Sequence, residues 1–322
     1  MRIVALEEHV GFAAFAAEAE RGKAPPIVLN PALRERLEDV DVLRLQSMDE
    51  HGITLQVLSL ANAGAAALAK PANAVDYARR YNDAIAAKAR KHPGRFLAFA
   101  HLPLIMPEAA ADELTRAVVD LGCRGAMVSG ETQGRFLDDP VFAPILARAE
   151  QLDVPIYIHP GVPPKAVRDA YYAGFAPDVS HIFATSAWGW HIETAIHVVR
   201  MVLAGTFDKH PKLKIIIGHM GEALPFMLDR LDNWLTPRAK NLERSVAQTI
   251  LAQVYITTAG FFWPAPFMAA LMTFGCDRIL FSVDYPYSGN RDARAFLDNL
   301  PITPSDKAKI AHGNADRLLK LA

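Results

Sequence analysis

Short apolar runs alternate along this chain with longer segments whose apolar positions recur at helical spacing. Met1 to Leu6, Ile53 to Leu60, Phe96 to His101, Gly125 to Val128, Val154 to Ile158, Leu213 to Ile217, Val254 to Thr257 and Arg278 to Val283 read as buried strands. From Asp39 the positions Val42, Leu45 and Met48 have helical spacing, and the pattern stops at His51-Gly52, where Gly suits a helix C-terminal cap. Ala74 to Lys91, Glu108 to Leu121, Val141 to Gln151, His191 to Ala204, Gly221 to about Gln253 and Pro266 to Phe274 read as further helices, and Ser305 to Leu319 as a last one. Strand and helix alternating about eight times is the pattern of a closed (β/α)8 TIM barrel. A doubly wound open sheet would alternate in the same way, but no Gly-x-Gly-x-x-Gly follows the first strand. The pattern predicts one domain over residues 1–322, distorted by two excursions. Val10 to Val40, broken by Lys23-Ala24-Pro25-Pro26, is expected to be a lid after the first strand, and Pro163 to Phe175 a long loop after the fifth.

Composition narrows the class of function. With 322 residues, 51% of them hydrophobic, and a formal net charge of -1, the chain can bury a large core and carries no bulk charge to draw it to nucleic acid or an anionic membrane. No apolar stretch approaches the roughly 18 residues of a membrane span, and the N-terminus enters a strand directly. Cys123 and Cys276 lie far apart and form no CxxC, so neither a disulfide framework nor a thiolate zinc site is signalled. A cytoplasmic protein is expected.

In a barrel the chemistry sits at the C-terminal ends of the strands. The first strand ends in Leu6-Glu7-Glu8-His9, where alternation puts Glu7 and His9 on one face and Glu8 on the other. The fifth ends in His159-Pro160, the sixth in His219-Met220-Gly221-Glu222, and the eighth in Asp284-Tyr285-Pro286. Any one of these residues alone reads as a hydrogen-bonded loop group or turn former. Four strands delivering ligand-type residues to one rim point instead to a metal site. His101 ends the third strand at the same rim and is a further pocket candidate; His191 and His197 share a helix at a spacing of six and are not expected to chelate one ion together.

These motifs resemble the amidohydrolase superfamily, and within it the branch of metal-dependent non-oxidative decarboxylases acting on gamma-resorcylate, 2,3-dihydroxybenzoate, 5-carboxyvanillate and aminocarboxymuconate semialdehyde. The resemblance extends to Asp49-x-His51-Gly52-Ile53, Arg95-Phe96-Leu97-Ala98, Glu193-Thr194-Ala195, Phe207-Asp208-x-His210-Pro211 and Asn314-Ala315-x-Arg317-Leu318, and so to nearly the whole chain. It implies Glu7, His9, His159 and Asp284 as metal ligands, with His219 and Glu222 as a neighbouring dyad. Many binuclear members carry a bridging Lys at the end of the fourth strand. Here that strand ends Val128-Ser129-Gly130, which implies a single divalent ion, Zn2+ or Mn2+. Ser129 stands where Asn is expected in gamma-resorcylate decarboxylase.

The chemistry expected is loss of CO2 from a hydroxylated aromatic, or related unsaturated, carboxylic acid, with Asp284 protonating the ring carbon. The alternative is hydrolysis of an ester, lactone or amide by water activated at the same ion. Trp188, Trp190, Phe261, Phe262, Trp263 and Tyr287 are expected around the pocket, and Arg44 and Arg230 as contacts to an anionic or hydroxyl group of the substrate. The resemblance and Trp234, an aromatic in a charge-rich segment, imply a homodimer or homotetramer.

Overall fold

The structure is a computed structural model that describes residues 1–15, 30–60 and 71–321. Among the described residues nine strand segments occupy eight positions: β1 (Val4–Val10), β2 (Leu55–Leu60), β3 (Phe96–Ala98), β4 (Ala100–His101), β5 (Ala126–Ser129), β6 (Ile156–His159), β7 (Ile215–Ile217), β8 (Val254–Thr257) and β9 (Ile279–Leu280). All neighbours pair in parallel, in the orders β1-β2-β3 and β4 through β9. β3 and β4 are two halves of one strand interrupted at Phe99, whose N–H still donates to Leu58 O.

The ring closes between the two ends of the chain's strand series. His9 N–H donates to Tyr285 O at 2.7 Å, Asp284 N–H donates to Glu7 O at 3.0 Å, and Glu8 pairs with Tyr285 as a parallel bridge. β9 is only two residues long, so side chains complete this seam. The Ser282 hydroxyl accepts from the N–H groups of Leu6 and Glu7, and the buried Glu8 carboxyl accepts from those of Val283 and Tyr285. Glu8 therefore turns away from Glu7 and His9 to do structural work. Burial raises its pKa well above the carboxylate range, and the two backbone donors and Arg44 offset only part of that.

Alternation along the strands builds two apolar layers. Val4, Leu6, Val57, Phe99, Met127, Tyr157, Ile216 and Leu280 fill the barrel, and Ala315, Leu318 and Leu319 of the helix Asn314–Leu319 join them at the end where Arg2 pairs with Asp316. Ile3, Ala5, Leu58, Ile156, Ile158, Ile215, Ile217 and Ile256 face outward onto the helices. Among the described residues no helix is long and apolar enough to cross a membrane.

Three segments refine the sequence expectation. Residues 16–29 of the segment expected as a lid lie outside the described residues, and the rest of it holds the helix Pro31–Glu38. The stretch after β6 is built of short helical turns, Lys165–Val167, Arg168–Tyr172 and Pro177–Ala184, rather than open loop. The helix expected from Gly221 to Gln253 is two helices, Leu224–Leu235 and Val246–Gln253, because Ser245 starts the second with a reciprocal capping box to Gln248.

Candidate active site

β1, β6, β7 and β9 bring their terminal polar residues together as a consequence of barrel closure. Glu7 and His9, two apart on β1, face the same side, with Glu7 Oε1 3.9 Å from His9 Nε2. His159, at the end of β6, places Nε2 3.2 Å from Glu7 Oε1. Asp284, just past β9, places Oδ1 3.2 Å from His9 Nε2. His219, just past β7, has Nε2 3.7 Å from Glu7 Oε1 and 3.9 Å from Asp284 Oδ2. Ser59 Oγ lies 3.4 Å from His9 Nδ1, and His159 Nδ1 lies 2.8 Å from Pro160 O, so each ring has its far nitrogen occupied and Nε2 turned inward.

Two atoms in this cluster, Glu7 Oε1 and His9 Nε2, are buried and have no hydrogen-bond partner. An orphaned carboxylate oxygen and an orphaned imidazole nitrogen are costly unless something else binds them. Around a divalent ion with bonds of about 2.1 Å, neighbouring donor atoms sit roughly 3.0–3.4 Å apart. The two 3.2 Å separations fall in that range. One or two carboxylate oxygens with two imidazoles make a donor set suited to Mn2+ or Zn2+, and the residues fit such an ion.

Glu7 is held from behind. Its second oxygen, Oε2, accepts from the buried Tyr157 hydroxyl, which also meets Thr257 Oγ1 at 3.0 Å. Gly218 leaves the space this requires, since a Cβ there would come 2.5 Å from Glu7 Oε2. Burial alone would raise the Glu7 carboxyl, but the imidazoles of His219, His159 and His9 outweigh it and hold the group below the carboxylate range.

The turn after β7 is strained. His219, Met220, Glu222 and Ala223 all have positive φ, as does Asp284 across the site at +70°. The turn folds Glu222 back so that its Oε1 lies 2.7 Å from His219 Nδ1. Burial would lower the His219 imidazole, yet Glu222, Glu7 and Asp284 carry it up to about 10. A cation beside Glu7 and Asp284 would cancel part of that field.

Other expected contacts are placed less uniformly. Trp190 lies near His159, ring centres 6.4 Å apart, and Ser129 pairs with His159 across β5 and β6. Tyr287 stacks edgewise on His9 at 5.5 Å, and Phe261 lies 5.8 Å from His219. Trp188 and Trp263 are exposed, while Phe262 packs towards Phe296. Arg44 is fully buried, donates to Gln56 Oε1 and His9 O, and stacks on Tyr285 at 4.6 Å. That position pins the strand carrying His9 and engages the guanidinium with protein groups. Arg230 is exposed and lies over Trp234. His101 is buried beside Tyr77 and Tyr81, and burial pushes its imidazole down to about 4.

Sequence reasoning passed over Tyr157 and His191. Tyr157 could have been found, since it stands two residues before His159 on the inward face of β6. His191 carries no such signal, because its helix reaches Glu222 only through the fold, with Nδ1 2.6 Å from Glu222 Oε2.

Comparison with known proteins gives the same picture along the whole chain. The Amidohydrolase family model matches residues 31–321. A gamma-resorcylate decarboxylase of a Polaromonas species is 38% identical over 332 residues, covering 99% of this chain and 98% of that one. A crystal structure of 2,6-dihydroxybenzoate decarboxylase complexed with 2,6-dihydroxybenzoate superposes with a TM-score of 0.89 at 37% identity, covering 100% and 99% of the two chains. A dihydroxybenzoic acid decarboxylase from Polaromonas with bound manganese and the inhibitor 2-nitroresorcinol superposes with a TM-score of 0.90 at 37% identity, covering 99% and 97%.

Proposed function

The chain belongs to the amidohydrolase family, and from that premise we infer that it is a metal-dependent decarboxylase, removing CO2 without oxidation from a hydroxylated aromatic carboxylic acid. One observation carries the reading: the orphaned Glu7 Oε1 and His9 Nε2 converge with His159 and Asp284 at the rim of a barrel that matches decarboxylases end to end. We assign Glu7, His9, His159 and Asp284 to one divalent ion, Mn2+ or Zn2+. When bound, that ion supplies Lewis acidity and a template for the substrate carboxylate and an adjacent hydroxyl.

The remaining work falls to side chains. Direct loss of CO2 would leave an aryl carbanion, so the carbon bearing the carboxylate is protonated first. The C–C bond then breaks, its electron pair restores the aromatic ring, and CO2 leaves. Asp284 is positioned to deliver that proton. His219, with Nδ1 on Glu222 and Nε2 towards Asp284, orients and exchanges it. Trp190 and Ser129, flanking His159, are assigned to the ring and its substituents.

Metal-loaded protein is expected to release CO2 from an ortho-hydroxybenzoate and, in D2O, to place one deuterium where the carboxylate stood. Asp284→Asn is expected to lower that turnover at least about 100-fold, because an amide offers an oxygen to an ion but shuttles no proton. No CO2 from any hydroxybenzoate, with 18O from labelled water entering the product of an ester or lactone, would replace this reading with hydrolysis.

We also propose a homodimer or homotetramer built on the face carrying Trp234. Phe226, Met227 and Trp234 are exposed on the helix Leu224–Leu235, and Met268 and Met272 on the neighbouring helix Pro264–Phe274. Sedimentation at micromolar concentration is expected to show an assembly that Phe226→Glu with Trp234→Glu dissociates. A monomeric wild-type protein would refute it.

A further inference from the structure

Glu222 is a buried carboxylate held from two sides. His219 Nδ1 meets Oε1 at 2.7 Å and His191 Nδ1 meets Oε2 at 2.6 Å, while the two imidazoles pack edge to face at 4.6 Å. Both histidines together hold the carboxyl below its ordinary range against the opposing effect of burial. An ionised carboxylate facing His191 Nδ1 requires a proton on that nitrogen. The ring is held from behind through Nε2, which meets one of two neighbours according to its tautomer: it donates to Ser186 O at 3.0 Å or accepts from Trp190 Nε1–H at 3.2 Å.

His191 stands in the first turn of the helix Gly189–Leu203, on a different element from the turn that carries the dyad. That turn runs through positive φ from His219 to Ala223, including Gly221, and such a backbone persists only where its surroundings over-determine it. Given one donor, a buried carboxylate is free to rotate about its last bonds towards another. Given two, it is clamped.

We propose that His191 is a positioning residue for the reaction: by occupying Oε2 of Glu222 it keeps Oε1 on His219 Nδ1, so that His219 presents Nε2 to Glu7 and Asp284. His191 touches neither substrate nor ion in this arrangement. Its contribution reaches the reacting atoms through Glu222 and His219. The kinetic arm of the test rests on the decarboxylase reading, and the structural arm does not.

The variants are His191→Asn, His191→Gln and His191→Phe in the full-length, metal-loaded protein. The amide nitrogen of Asn falls near the position of Nδ1, whereas that of Gln falls near Nε2. His191→Phe and His191→Gln are expected to lower kcat about 10- to 100-fold with KM and metal content within about twofold of wild type, and His191→Asn to recover most of the loss. A crystal structure of His191→Gln is expected to show Glu222 turned away from His219. Should His191→Phe fail to fold, the contrast between Asn and Gln still decides. Equal kcat in both amide variants, Glu222 unmoved in His191→Gln, or a second ion per chain bound between His191 and Glu222 would overturn the proposal. If wild-type protein decarboxylates nothing while Glu222 turns as expected, the decarboxylase reading fails and the clamp stands.

Discussion

Which oxygen of Glu7 is free to meet an ion is decided by Tyr157. Its hydroxyl occupies Oε2 and leaves Oε1, the orphaned atom, as the one directed at His9 and His159. Tyr157→Phe removes a donor from a fully buried carboxylate, which costs the desolvation of that oxygen in addition to the hydrogen bond. The expected outcome is a loss of metal affinity of about 10- to 100-fold, in the range found for groups behind metal ligands. Competition with a chromogenic chelator measures it, and affinity within twofold of wild type would show that Glu7 needs no such anchor. Gly218 belongs to the same arrangement, because any side chain there would collide with the carboxylate that Tyr157 holds.

Among the elements, the helix Gly189–Leu203 has two jobs at two points along its length. His191 at its start reaches Glu222, while His197, two turns on, faces the segment after β5 and accepts from the Leu137 N–H at Nε2, 2.9 Å away. Arg200 on the same helix pairs with Asp138 at 2.7 Å and covers the Phe136 ring. Burial, with a smaller contribution from Arg200, pushes the His197 imidazole down to about 3. Between pH 6.5 and 3 the unfolded chain therefore binds a proton that the folded chain refuses, and stability falls as pH falls through that window. At pH 5 the loss from this one group is about 2 kcal/mol. His197→Gln, which keeps an acceptor near Nε2 and removes the titration, is expected to lose about that much less between pH 7.5 and pH 5. Urea unfolding of both proteins at the two pH values checks this. Equal losses would remove His197 from the acid response.

At the scale of the whole molecule, the proposed metal site doubles as a tie across the barrel. Glu7 and His9 come from the first strand, His159 from β6, and Asp284 from the segment that follows a two-residue strand whose seam with β1 depends largely on side-chain and isolated backbone hydrogen bonds. An ion bound at 100 times its dissociation constant stabilises the folded chain by about 2.7 kcal/mol, which for a chain of this size corresponds to a melting shift on the order of 4 °C. Chelator treatment is expected to lower the melting temperature by that order, and re-addition of Mn2+ or Zn2+ to restore it. A melting temperature indifferent to chelation would show that the folded chain gains no stability from a bound ion.

The alternation of apolar strands with helices, and the four strands ending in Glu7-x-His9, His159, His219 and Asp284, are local patterns, and the sequence by itself determined them. Strand period and barrel topology bring such residues to one rim, while an irregularity in β1 between Ala5 and Glu8 and the positive-φ turn after β7 set the way Glu7 and His219 face. Gly52 closes its helix in the left-handed conformation for an equally local reason. Contacts between elements distant in the chain were decided only by the tertiary structure. Arg44 reads as a candidate substrate contact in the sequence, yet the helix Leu43–His51 docks so that its guanidinium is buried against His9 O, Gln56 and Tyr285. His191 reads as one helical histidine of two, yet the pitch of its helix over the barrel brings it alone to Glu222. Periodicity encodes which face of an element is buried. Which atoms meet there depends on how whole elements pack, and that is a property of the closed barrel.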